Sequence, residues 1–357
     1  MRKVGSWKPA MAWLVAILAI AAGSYGQAQE PRFDGVSLRV ATFGGGWDRA
    51  VAELIGQEFE KRGGKIQYVL GPPRDNLAKL IASRGNTPFD VIEMDDKTYV
   101  DAMSGNFLEK IRLERVPNRR ELDPDAYGDY RVAAWVVQEG LLYRTDKFKE
   151  AGIPVPTRYS DLENPKLAGK VLFADLAAPG TIHILVSMAV DKGGNEANMQ
   201  QAYEGVKRID AARYWKLAAD GLAQLQNGDV WVATMHNGHA QQAIEKGIPV
   251  AFVHPKSAEK VGILRPGWLG IVKGTKVQDA AEFFVNAYID AKAQEGLAMK
   301  RGIVPVNARA RDAIQSGATR MKDLALLKPE AVKNMLRVNM EKLDPNYADQ
   351  VNRAVAK

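Results

Sequence analysis

The residues best equipped for chemistry stand where strand-like segments stop. Gly44-Gly45-Gly46 follows an alternating β-rich run and opens a helix-like segment. Free N–H groups there, at the positive end of a helix, suit a carboxylate, phosphate or phosphonate; a tight turn needing positive φ explains the same glycines. The triglycine lacks the third glycine of a G-x-G-x-x-G dinucleotide fingerprint. Gly180-Thr181 opens a second helix after a strand, and Thr181 either caps that helix or bonds a ligand anion. His236 and Asn237 end a buried-looking strand, the usual place for ligand contacts in an open α/β sheet; a structural histidine is the alternative. Arg265 stands just before another strand, where a guanidinium could grip an anion bidentately or face solvent. Asp96 and Thr98 lie in an acidic loop and could hold an ammonium or hydroxyl, or be ordinary solvated loop residues. Trp47 reads as core rather than as a stacking platform. Each residue is ambiguous alone; their shared position at strand ends makes them a set.

Covalent and metal chemistry find no support. The sequence has no G-x-S-x-G and no H-E-x-x-H, and its four histidines show no metal-ligand spacing. Without cysteine, thiolate metal sites and cysteine nucleophiles are excluded. No catalytic residue, metal or cofactor is expected.

The elements that must position these residues alternate between strand and helix, which predicts an α/β fold. Val36–Phe43, Lys65–Leu70 and Phe89–Met94 read as strands, with helices from Trp47 to Gly63-Gly64 and over Asp75–Ser83 between them. The style repeats: strand Lys170–Ala174, helix Thr181–Val190, strand Val230–Met235, a helix ended by Gly247, then strands Pro249–Val253 and Trp268–Val272. Asp279 is expected to cap an amphipathic helix, and the chain reads as helical from Ala308 onward. No solenoid-period repeat or low-complexity tract occurs.

The N-terminus predicts export. Arg2, Lys3 and Lys8 precede an apolar run of 13 residues, Ala10–Ala22, too short for the roughly 20 residues that span a bilayer. Gly26-Gln27-Ala28 reads as a cleavage site, so residues 1–28 are expected to be a signal peptide and the mature chain periplasmic. The net charge of +7 falls to +4 without the leader's three cations, and no basic stripe interleaves with aromatics, so nucleic acid is not an expected partner.

Several segments resemble the type II periplasmic binding proteins of the extracellular solute-binding family 1 group, especially its spermidine/putrescine-binding branch. They are Leu38–Gly64, Phe89–Ile111, Gly140–Val171, His236–Lys256 and Gly267–Ile289. The third is the most specific, with Tyr143-x-Thr145-Asp146-Lys147-Phe148, Gly152-Ile153-Pro154-x-Pro156-Thr157, Asp161-Leu162 and Lys166 to Val171. The resemblance implies a two-lobed fold with a ligand cleft between mixed sheets flanked by helices. Residues 29–132 and 258–307 would form lobe 1, 133–257 lobe 2, and 308–357 C-terminal helices packing on the lobes. It also implies a monomer that delivers a small molecule to the permease and ATPase subunits of an ABC importer. By position, Phe43-Gly44-Gly45-Gly46 replaces a Trp followed by polar, acidic and aromatic residues. His236-Asn237-Gly238 matches a Trp-Asn-Gly, and Arg265-Pro266-Gly267 falls on a Trp-x-Asp. Indoles and carboxylates that suit a polycation are lost, and an Arg and a His are gained. The ligand is therefore expected to be anionic or zwitterionic, with a polyamine as the alternative. An exported enzyme on the same fold and a sensor partner are further alternatives. Ferric-binding relatives use adjacent tyrosines, and this chain has no Tyr-Tyr pair.

Overall fold

A computed structural model describes residues 1, 31–175, 178–216, 218–317 and 321–355; the expected leader core and cleavage site lie outside the described residues. Nine strands carry the architecture: β1 (Ser37–Thr42), β2 (Lys65–Leu70), β3 (Val91–Asp95), β4 (Arg131–Arg144), β5 (Val171–Ala174), β6 (Ala211–Trp215), β7 (Val232–His236), β8 (Val250–Val253) and β9 (Ile263–Val272). They run in the order β2-β1-β3-β9-β4-β7-β5-β6, with β8 also paired to β4. The outer strands pair in parallel, β1 with β2 and β3, and β5 with β6 and β7. The central pair, β9 and β4, is antiparallel to each other and to its neighbours. The fold is thus α/β with a mixed sheet, and its two halves meet at β4 and β9.

Packing follows that division. Phe33, Leu38, Ile55, Phe59, Phe284 and Tyr288 belong to one apolar core; Phe148, Phe173, Leu185, Met188, Leu225 and Met235 belong to another. Along β4, Val132 to Val137 enter the first core and Leu141 to Tyr143 the second; along β9, Ile263 enters the second and Trp268 to Ile271 the first. Two continuous strands therefore run through both lobes. The C-terminal part crosses again: Met321 and Leu327 pack in the first core, Leu336, Met340 and Val351 in the second.

The helices that matter for function are α1 (Trp47–Val51), α2 (Asp96–Ser104), α3 (Thr181–Val190), α4 (Asn237–Glu245) and α5 (Ala291–Arg301). Four sequence readings need correction. Arg265 lies inside β9, which begins at Ile263 rather than Trp268, because antiparallel pairing with β4 extends it. Asp95-Asp96 is no loop: Asp95 ends β3 and caps α2, its carboxylate accepting from the Thr98 N–H at 2.7 Å. Asp279 sits in the first turn of its helix, which starts at Gln278 with Val277 at the cap, and its carboxylate pairs with Arg112. The region after Ala308 is a series of short helices separated by irregular segments. Among the described residues no helix is long and apolar enough to cross a membrane.

A bulge in the central pair decides which side chains reach which face. Gly267 pairs with Trp135 and the next residue, Trp268, pairs with Ala133, leaving Ala134 as the extra residue on β4. Trp135, Val137 and Arg265 face one hollow, while Ala133, Val136, Leu264, Pro266 and Trp268 face another on the opposite side.

Candidate functional site

The first of these hollows is a cavity of about 280 Å³ between the lobes. Phe43, Gly44 and Trp47 come from the β1 end of lobe 1; Pro179, Lys216, His236, His239 and Gln242 come from lobe 2. The central strands supply Trp135, Val137 and Arg265, and the end of α5 adds Arg301 and Ile303.

One wall is aromatic. Phe43, Trp47 and Trp135 form a triad with ring centroids 6.1–6.2 Å apart, close to edge-on for Trp47 against the other two. Glu93, buried on β3, aims the indoles. Its Oε2 accepts from Thr42 Oγ1 at 2.5 Å and Trp47 Nε1 at 3.0 Å; its Oε1 accepts from Trp135 Nε1 at 2.5 Å and the Tyr288 hydroxyl at 3.2 Å. Burial pushes the Glu93 pKa up, while the four donors pull it down. Gly267 makes room for this arrangement, since a Cβ there would lie 2.2 Å from the Trp135 ring.

The opposite wall is cationic. Arg265 Nε donates to Glu139 Oε1 at 2.6 Å, both side chains being buried, and the guanidinium carbon lies 5.5 Å from the Trp135 ring centroid. Gly180 permits this pair, because a Cβ there would lie 2.5 Å from the Glu139 carboxylate. Arg301 makes no ion pair among the described residues, and its buried Nε has no hydrogen-bond partner. Burial, with Arg49 as a like-charged neighbour, lowers its pKa. Lys216 is exposed at the rim and likewise makes no ion pair among the described residues.

His236 and His239 stack with ring centroids 3.6 Å apart. Burial and the neighbouring Arg265 and Arg301 keep both neutral, His236 well below the usual histidine range and His239 down to about 3. His236 Nδ1 accepts from the Gly238 N–H at 3.1 Å, so its ring proton sits on Nε2. His239 Nδ1 is buried without a partner.

The structure thus gathers Gly44, His236 and Arg265 around one cavity. Gly45 and Gly46 have φ of 69° and 92°, as their turn requires, and the Gly46 N–H already donates to Asp48 Oδ1 at 3.1 Å. Asn237 is fully buried: its Oδ1 accepts from the Gln138 N–H at 2.9 Å and its Nδ2 donates to the Gly302 carbonyl at 2.9 Å, tying α4 to β4 and to the end of α5. Thr181 Oγ1 donates to the Asp175 carbonyl at 2.5 Å. Asp96 bonds His183 at 2.8 Å and lines the rear hollow, and Thr98 is buried beside it; neither is among the residues lining this cavity. Sequence reasoning missed Trp135, Lys216, His239 and Arg301. His239 carried a signal, standing three residues after His236 on one helical face; Arg301-Gly302 reads only as a helix end.

A model of the bacterial extracellular solute-binding protein family matches residues 54–323. An uncharacterized protein of Haemophilus influenzae is 29% identical over 253 residues, covering 68% of this chain and 70% of its own. Among solved structures, a spermidine/putrescine ABC transporter substrate-binding protein from Streptococcus pneumoniae, crystallised with calcium and HEPES, superposes with a TM-score of 0.73 at 16% identity, covering 89% of this chain and 97% of its own. A periplasmic binding protein of A. tumefaciens in complex with glucopine gives 0.70 at 20% identity, covering 89% and 99%. The chain belongs to the bacterial extracellular solute-binding protein family, and its fold is that of the two-lobed periplasmic binding proteins. The family is one of solute-binding proteins.

Proposed function

We propose that this extracellular solute-binding protein captures a small polar solute with at least one anionic group, either an anion or a zwitterion, in the cavity bounded by Phe43 and Arg301. It then presents the solute to the permease of an ABC importer, whose ATPase subunits drive uptake. The observation that carries the ligand class is Arg301, a guanidinium drawn into a cavity beside Arg265 with an unpartnered Nε and no ion pair among the described residues. Placing an uncompensated cation there costs free energy that an anion would recover. A polyamine would need the reverse, yet no Asp or Glu lines the cavity among the described residues, and the nearby Glu139 is committed to Arg265.

Ligand contacts to both lobes would favour a closed form over an open one by hinge bending. The crossings within β4 and β9 are the proposed hinge, with residues 29–132 and 258–307 as lobe 1, 133–257 as lobe 2, and the C-terminal helices bracing both. The mature chain is proposed to be a periplasmic monomer cleaved after Ala28. Calorimetric titration with putrescine, spermidine, aminophosphonates, sugar phosphates and thiamine tests the ligand class. Tight spermidine binding with no response to any anion overturns it.

A further inference from the structure

We infer that the cleft takes a terminal phosphoryl dianion, as in a phosphate monoester or phosphonate, attached to a body that stacks on the aromatic wall and carries no ammonium group. This rests on the anionic reading above and narrows it. Three cations line the cavity, Lys216, Arg265 and Arg301, and the carboxylate bonded to any of them is Glu139, which answers Arg265. Lys216 and Arg301 make no ion pair among the described residues, one from each lobe, and a dianion balances both where a carboxylate balances one.

Donor geometry points the same way. Arg265 uses only Nε on Glu139, and its two η nitrogens have no hydrogen-bond partner among the described residues. Arg301 Nε is unpartnered, and neutral His236 carries its proton on the Nε2 side. These donors come from the central strands, from α5 and from the start of α4. Three oxygens in a tetrahedral array can accept from such spread directions, whereas a planar carboxylate presents two oxygens in one plane. An ammonium on the ligand would add a third uncompensated charge, with no lining carboxylate to receive it. Phe43, Trp47 and Trp135 instead offer ring surfaces to C–H groups.

The charged and titratable groups that face the anion are Lys216, Arg265, Arg301, His236 and His239, with Glu139 behind Arg265 and Arg49 and Asp48 behind Arg301. The histidines are held neutral, so the pH profile of binding should follow the ligand's own second ionisation, near pH 6 for a phosphate monoester.

The test is calorimetry on the mature chain with matched probes: ethyl phosphate, phosphoethanolamine, propionate, glucose 6-phosphate, glucose and spermidine. At about pH 7.5, a phosphate ester should bind at least about tenfold tighter than propionate, glucose or phosphoethanolamine, and weaken about tenfold by pH 5. Lys216→Met and Arg301→Met should each weaken that binding about tenfold or more with an unchanged circular-dichroism spectrum. Phosphoethanolamine binding tighter than ethyl phosphate, or propionate matching it, overturns the dianion assignment while leaving the broader anion-or-zwitterion reading intact. Spermidine binding with silence from every anion overturns both.

Discussion

The two hollows on opposite faces of β4 and β9 share a backbone and differ in how their charges are satisfied. The rear hollow is the larger of the two, about 400 Å³ against about 280 Å³, and two of the three arginines that line it are ion-paired. Arg311 pairs with Asp123 at 3.0 Å and Arg337 with Asp125 at 3.3 Å, His183 is hydrogen-bonded to Asp96 at 2.8 Å, and Arg131 lies 3.9 Å from the Trp268 ring centroid. The front cavity leaves Arg301 and Lys216 without ion pairs and keeps its histidines neutral. Between these two, size alone would select the rear. The proposed site is the front because Arg301 Nε is buried there without a partner, whereas the rear arginines are ion-paired or lie over an indole.

The strongest way to break this contrast is Gly267→Asp, which restores the acid of the resembling polyamine-binding branch. Its side chain would displace the Trp135 indole, so ligand affinity should fall more than about a hundredfold and stability by about 1–3 kcal/mol. Titration and thermal melting read both; retained anion binding would mean that the aromatic wall does not matter. Arg301→Met comes next. Affinity should drop about tenfold to a hundredfold, with the melting temperature unchanged or raised because a desolvated cation is removed. A melting temperature that falls with affinity intact would make Arg301 structural and erase the difference between the faces.

Acid titration probes the neutral histidines. His236, His239 and His254 are all depressed by burial, His239 to about 3 and His254 to about 4. As pH falls below about 6.5 the unfolded chain takes up protons first, so stability from these groups is fully present above that pH and is lost toward pH 4. Denaturant titration should show a decline on the order of a few kcal/mol across that window, and His239→Gln should flatten part of it. The smallest effect is expected at the rear. Arg311→Met should cost at most about 1 kcal/mol and leave ligand affinity unchanged, since its pair with Asp123 is partly exposed. An affinity loss there comparable to that of Arg301→Met would merge the two faces into one site.

Much of the fold was legible locally. β2 and α3 match their sequence bounds, and β1, β3, β5 and β7 lie within two residues of theirs, because alternation, glycine punctuation and β-branched residues are signals carried by neighbours in the chain. The long strand β4 was not singled out. Buried along most of its length, it lacks the polar alternation that marks a strand with one wet face. Gly180 and Asn237, expected as ligand contacts, serve in the structure as the space beside Glu139 and a tie between α4 and the end of α5, roles that depend on partners 41 and 65 positions away.

What the sequence determined by itself is the α/β alternation and, through segments that resemble it, the family. The alternation depends on short-range periodicity, which physics reads directly from adjacent residues; the family rests on the resemblance of its segments, not on composition. Which charges lack partners was decided only by the tertiary structure. Arg301 and Arg311 are the same residue type in the sequence; the packing around each leaves Arg301 Nε buried without a partner and sets Arg311 against Asp123 at 3.0 Å. Electrostatic compensation acts through space over a few ångströms, between residues that the chain itself keeps more than a hundred positions apart.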